Sequence, residues 1–158
     1  MARKVFDQHP TDLDNARYDD QREVMQQINE RGIDPFMLEE LRAAGQEPVK
    51  VGKYWLVMPN RWPYRNTRWH FLIISMEPWT DMAQITPEAG AEYFELVNWL
   101  IKEYAVPGGA VCMRFGDSDH SAGTVKHLHA QFVVPDTESE DYEPVRFKIG
   151  KDKEKLAR

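Results

Sequence analysis

The segment Lys126-His127-Leu128-His129-Ala130-Gln131-Phe132 places two imidazoles and an amide at every second position. On an extended backbone alternate side chains share a face. His127, His129 and Gln131 would then point one way, and Leu128, Ala130 and Phe132 the other. Two titratable rings side by side on a strand are costly without partners or a task. Beside a plain solvated strand face, which Lys, Thr or Glu fill more often, two chemistries fit. A neutral imidazole is a good nucleophile for phosphorus, and its neighbour can set its orientation and tautomer. Alternatively, His-x-His on a strand brings two ring nitrogens close enough for one metal ion. His120, Asp117 or Asp119 could then complete the ligand set.

Those residues need a scaffold. Val125 to Val134 reads as a long strand ended by Pro135, and the polar loop Gly116 to Gly123 precedes it. Trp69 to Ser75 is an apolar run interrupted by His70, the pattern of a central strand holding one hydrogen-bonded core histidine. Pro48 to Val51 and Tyr54 to Met58 read as two short strands across a Gly52-Lys53 turn, Ala110 to Phe115 as a further strand, and Val145 to Ile149 as the last. Between them Thr86 caps a helix, Pro87 suits its first position, and Ala89, Tyr93, Leu96, Val97, Leu100, Ile101 and Tyr104 keep a helical period. Upstream, Asn15 to Arg31 reads as a helix stopped by Gly32, and Phe36, Leu38 and Leu41 as a short amphipathic stretch ending at Gly45. The order of elements predicts an α+β domain around an antiparallel sheet.

Composition narrows the function classes. The 158 residues suit one domain, and 20 Lys plus Arg against 26 Asp plus Glu give a net charge of −6. Such a chain is ill suited to duplex nucleic acid, where many cations must replace condensed counterions. It can still hold a small anion in a local cluster. No apolar run approaches the roughly 18 residues of a membrane span, and the N-terminus has no apolar signal stretch. A lone cysteine, Cys112, fits a reducing cytoplasm and reads as a buried, inert thiol. His9 and His120 read as solvated.

With these residues in view, the strand resembles that of the histidine triad superfamily of nucleotide hydrolases and transferases. HLHAQFVVP is similar to the His-x-His-x-Gln form of the branch with galactose-1-phosphate uridylyltransferase and dinucleoside tetraphosphate phosphorylases. SAGTVKHLHAQ matches the small-residue turn before the first histidine. PNRWPYRNTRWHFLIIS and TDMAQITPEAGAEYFELVNWL resemble the preceding strand pair and helix, so the likeness runs from about Lys50 to Pro135. The resemblance implies a HIT-like sheet of about five strands with a packed helix and a helical N-terminal extension. It divides the chain into the extension (1–45), a catalytic domain (46–150) and a charged tail (151–158).

The resemblance also implies roles. His129 matches the nucleophile that forms a nucleotidyl-histidine at the α-phosphorus, and His127 the histidine that orients it. Gln131 matches the third position, Thr124 a hydroxyl near the leaving group, and Asn60 the residue holding the ribose. Arg114 and Gly116 fall near phosphate contacts. Arg61, Arg65, Arg68 and Lys126 are further cation candidates, Lys126 ranking low, and Trp55, Trp62, Tyr64 and Trp69 are candidate base platforms. Several relatives carry a zinc-binding Cys-x-x-Cys where this chain has Asp34 and Met37, a poor zinc pair, so helix packing around Phe36, Met37 and Leu41 is expected there instead. The implied activity is hydrolysis of a nucleotide, such as a dinucleoside polyphosphate, or nucleotidyl transfer, with no cofactor. A homodimer through Tyr93, Trp99 and Tyr104 is possible. The alternatives are a metal-binding protein and a nucleotide-binding module without catalysis.

Overall fold

Nine consecutive residues, Thr67–Ser75, form the central strand β3 of the computed structural model, which describes residues 9–156. It pairs antiparallel with Trp55–Pro59 (β2) on one side and His129–Pro135 (β5) on the other. Lys50–Val51 (β1) flanks β2, and Ala110–Met113 (β4) flanks β5. The five-stranded order is β1-β2-β3-β5-β4. The expected α+β architecture is therefore present.

Pleating gives this sheet two working faces. Trp55, Val57, Phe71, Ile73, Ala130 and Phe132 bury one face against helix α3, Pro87–Glu103, through Leu96 and Leu100. The Thr86 side chain accepts from the Ala89 N–H and caps α3 as its sequence predicts. Glu92 of α3 accepts backbone N–H groups of Lys53, Tyr54 and Trp55 at 2.7–2.9 Å, pinning the β1–β2 turn to the helix. A Cβ on Gly52 would lie 2.8 Å from that carboxylate, so a side chain there would push Glu92 off its backbone donors.

The opposite face carries Leu56, Met58, Leu72 and Ile74, packed on Leu41 of the short helix α2, Leu38–Ala43. Helix α1 (Asp19–Arg31) precedes it, with Gly32 at φ +64° as its left-handed C-cap. It starts four residues later than expected, because Leu13–Asn15 form a separate 3-10 turn. His129 and Gln131 pair with Ile74 and Leu72 across the strands, which sets their side chains on this second face.

Two strand expectations are corrected. Strand β5 begins at His129, not Val125, because the four residues before it bond to two separate segments. Val125 bridges to Thr11, the Lys126 N–H donates to Pro10 O, and the Leu128 N–H donates to Trp79 O. Residues 145–149 form no strand. They run back over the molecule, and the Lys148 carbonyl accepts from the Arg114 guanidinium instead of a neighbouring strand. The tail is anchored as well. Lys151 is almost wholly buried between Asp12 and Asp119, with both carboxylates at 2.6 Å, and Lys153–Leu156 form a last helical turn. Among the described residues no helix is long and apolar enough to cross a membrane.

Candidate active site

His129 opens strand β5 and lines a cavity of about 200 Å³ between the second sheet face and α1. Its Nδ1 lies 2.7 Å from the carbonyl of His127. A carbonyl only accepts, so Nδ1 carries the proton and Nε2 keeps its lone pair. No partner of Nε2 exists among the described residues. Phe36 meets the ring edge-on at 4.9 Å and 88°, which limits its rotation.

His127 lies in the loop before β5, not on the strand, and is completely buried. Its Nε2 donates to Ser75 O at 2.6 Å, and its Nδ1 meets Asp34 Oδ2 at 2.6 Å. The Ser75 carbonyl requires a proton on Nε2, and Nδ1 shares the remaining proton of the pair with the Asp34 carboxylate. The other carboxylate oxygen, Oδ1, accepts the Phe36 N–H at 3.0 Å. One acid from the N-terminal segment thus holds both the histidine whose carbonyl orients His129 and the phenylalanine that packs on it. Sequence reading weighed Asp34 only as a poor zinc ligand. The signal was present: an acid between Ile33 and Pro35-Phe36 needs a buried partner. Both nitrogens of His127 are engaged, so it has none for a metal ion. Among the described residues no group of three or more His, Cys, Asp or Glu side chains is arranged to hold a metal.

Gln131, two residues beyond His129, is oriented by a second histidine. The Tyr64 N–H donates to His70 Nδ1 at 2.9 Å, which puts the His70 proton on Nε2. That Nε2–H donates to Gln131 Oε1. The two side chains are diagonal neighbours across β3 and β5, within reach on one face. The amide NH2 of Gln131 is consequently the group left to serve the cavity, where it finds no partner among the described residues. His70 is the expected hydrogen-bonded core histidine, and its hold on Gln131 is what the sequence does not reveal.

The other predicted residues divide. Asn60, Thr124 and Arg114 line the cavity with His129. Asn60 is held by its own carbonyl, which accepts from the Trp62 N–H, and its amide nitrogen lies 3.1 Å from His70 Nε2. The Thr124 hydroxyl donates to Asn15 O. Arg114 donates to the Tyr64 hydroxyl and to Lys148 O, and its guanidinium lies 3.9 Å over the Phe147 ring. Gly116, at φ +71°, stands at an adjoining cleft shared with His129 and Arg114. Arg61 lines the cavity and lies over Trp62, whereas Arg68 faces Glu138 at 3.9 Å. Arg17, which sequence reading did not select, enters from the N-terminal segment, donates to Trp62 O and stacks on Tyr64.

Of the candidate base platforms only Trp62 lines the cavity. Trp55 is buried in the core with its Nε1–H on Ala89 O, Tyr64 lies between Arg17 and His70, and Trp69 packs on Tyr104. Tyr93 and Trp99 also make aromatic or cation contacts within the chain. Cys112 is half-buried on the edge strand β4, not buried as expected. The apolar wall of the cavity comes largely from the extension, through Val24, Ile28, Ile33 and Phe36, with Leu72 beneath.

Burial in this cavity wall lowers the His129 pKa to about 4, against a partly offsetting hydrogen bond to the His127 carbonyl. The positive charge of Arg114 lowers it further. Burial likewise lowers His70 to about 4, opposed by its bond to Gln131. Both rings are neutral in the folded chain at pH 5, while the unfolded chain protonates them below about 6.5. Unfolding therefore takes up protons, and stability falls as pH drops from about 6.5 towards 4. Urea unfolding at pH 7 and pH 5, with NMR titration of the two rings, checks this. Rings titrating near 6.5 would contradict it.

No family profile matches the chain, and no curated protein does. Solved structures do. A HIT-like protein is 20% identical, with a TM-score of 0.51 over 64% of this chain and 100% of its own. A HIT family hydrolase from Clostridium thermocellum is 16% identical, with a TM-score of 0.51 over 68% and 93%. A histidine triad nucleotide-binding protein from Candida albicans is 17% identical, with a TM-score of 0.51 over 74% and 87%. The chain has the fold of the histidine triad proteins.

Proposed function

We propose that this chain is a nucleotide hydrolase or nucleotidyltransferase that works through a covalent intermediate on His129. The observation that carries the reading is the His129 ring itself. Its Nδ1 is bound to the His127 carbonyl, and Nε2 has no partner among the described residues that line the cavity with it. A neutral imidazole approaches a charged phosphoanhydride without the repulsion an anionic nucleophile meets, and a pKa of about 4 keeps the ring neutral at physiological pH.

In the first step the Nε2 lone pair bonds to the α-phosphorus. The bond from phosphorus to the bridging oxygen breaks, and the leaving phosphate departs with that electron pair. In the second step an acceptor oxygen bonds to phosphorus, the P–N bond breaks and its electrons return to Nε2. The acceptor's proton passes to solvent. The Gln131 NH2, aimed by His70, is suited to donate to a phosphoryl oxygen as charge builds on it. Arg114 and Arg61 supply positive potential from the cavity wall. The apolar wall from α1 suits a flat, uncharged ring such as a nucleobase, with Asn60 and Trp62 near the ribose.

Gln131 cannot act as an acid at neutral pH, which favours transfer to phosphate or a sugar phosphate over transfer to water. Intact-protein mass spectrometry tests the proposal: protein is quenched during turnover of a dinucleoside tetraphosphate or a nucleoside diphosphate sugar, with and without inorganic phosphate. The expected result is a mass increase of one nucleotidyl group that disappears when an acceptor is added. Product formation with no adduct under any quench, and none trapped without acceptor, would overturn the covalent route.

A further inference from the structure

Beside the His129 cavity lies a second one of about 270 Å³, lined by Arg17, Arg114, Arg146, Lys148 and Lys155. Asp14 is its one acidic wall residue. Five cations gather there in a chain whose net charge is −6. They come from three distant segments: the approach to α1, the residue after β4, and the C-terminal run over residues 146–155. Arg17 and Arg114 line both cavities, so the two adjoin.

Two of the cationic heads are held by neutral groups that leave their charge, and two are paired with an acid. Arg114 donates to Lys148 O and to the Tyr64 hydroxyl, and Arg17 donates to Trp62 O, all neutral acceptors. Lys148 and Lys155 share the carboxylate of Asp152 at 2.8 and 3.7 Å, and Lys155 also donates to Asp14 O. Arg146 has no partner among the described residues. The three guanidinium groups of Arg17, Arg114 and Arg146 meet no carboxylate among the described residues, and they repel one another across the hollow unless an anion enters it. Guanidinium forks and ammonium groups together suit tetrahedral phosphate oxygens.

We propose that this cavity is a second anion site of the protein, and that it takes phosphate groups lying beyond the one attacked by His129. The proposal rests on the nucleotide reading for its place in a reaction, but the binding itself does not require turnover. Two sources of the phosphate are compatible with it: the leaving polyphosphate of the substrate, and inorganic phosphate serving as acceptor.

The test uses calorimetric titration of the full chain with inorganic tripolyphosphate, and with AMP, which carries no phosphate beyond the one His129 would attack. Arg146→Gln disturbs no contact among the described residues, so it should fold normally, as circular dichroism would verify. Losing one charge-assisted contact should weaken tripolyphosphate roughly tenfold and leave AMP within about twofold. Equal tripolyphosphate affinity in wild type and Arg146→Gln would overturn the site, and so would equal weakening of both ligands. Steady-state kinetics then separates the sources. A KM for inorganic phosphate raised in Arg146→Gln marks the acceptor; a raised KM for the polyphosphate substrate marks the leaving group. Tripolyphosphate binding that depends on Arg146, without any nucleotidyl adduct, would keep this site and remove the transferase reading. An adduct with tripolyphosphate affinity insensitive to Arg146 would do the reverse.

Discussion

His129→Ala should reduce nucleotidyl transfer by at least on the order of 10³-fold while nucleotide affinity changes by less than about threefold. On the proposed mechanism the substitution removes the atom that bonds to phosphorus, so no slower version of the same route survives. Affinity should persist because the apolar wall from α1, Leu72 and the arginines are untouched. If the ring merely polarised a water molecule the loss would overlap this range, at about 10²- to 10⁴-fold, but the wild-type protein would show no covalent adduct to lose. Single-turnover rates, adduct detection by mass spectrometry and calorimetric AMP binding, measured on the same preparation, separate these cases. A variant within tenfold of the wild-type rate would rule out His129 as nucleophile. A variant that no longer binds AMP would point to collapse of the cavity, and His129→Asn, which retains a polar side chain of similar reach, would then be the informative substitution.

The second large effect is on stability. Asp34→Ala should destabilise the fold by about 3–5 kcal/mol, because it leaves His127 Nδ1 without its partner in a wholly buried site. For a chain of this length that corresponds to a melting temperature lower by roughly 10 °C. Asp34→Asn should cost about 1–2 kcal/mol, since the carboxamide keeps a hydrogen bond to the ring but loses the charge. Removing the aspartate should also loosen Phe36, whose N–H it accepts, and with it the packing on His129. Asp34→Asn should therefore lower turnover more than its small stability cost alone would suggest. Urea unfolding together with kcat on the folded variant gives both numbers. An Asp34→Ala protein as stable as wild type would show that the His127 site relaxes or admits water.

The two effects differ in how visible their residues are in the sequence. The two-residue period of His129 and Gln131 against Ala130 and Phe132 is a property of extended backbone alone, and the sheet preserves it. Thr86 and Pro87 opening α3, and Gly32 closing α1, are equally local, because a helix end is satisfied by the residues next to it. Local pattern also identified His70 as a core histidine, since one imidazole in an apolar run must find a hydrogen bond inside.

Partners across the fold are a different matter. Asp34 lies 93 residues from His127, and His70 lies 61 residues from Gln131. No periodicity within one element encodes which remote group a ring nitrogen will face. The same limit explains the strand expectations. Residues 125–128 and 145–149 have strand composition, but a strand exists only where a neighbour offers a continuous ladder, and here their polar groups meet separate loops and an arginine. The sequence by itself determined the alternating faces, the end of α1, the start of α3 and the type of chemistry a paired histidine can do. Only the tertiary structure decided the tautomer of each ring, the acid behind His127, the orientation of the Gln131 amide and the meeting of Arg17, Arg114 and Arg146. Each of these depends on segments brought together by packing and chain closure, which side-chain spacing along one strand cannot report.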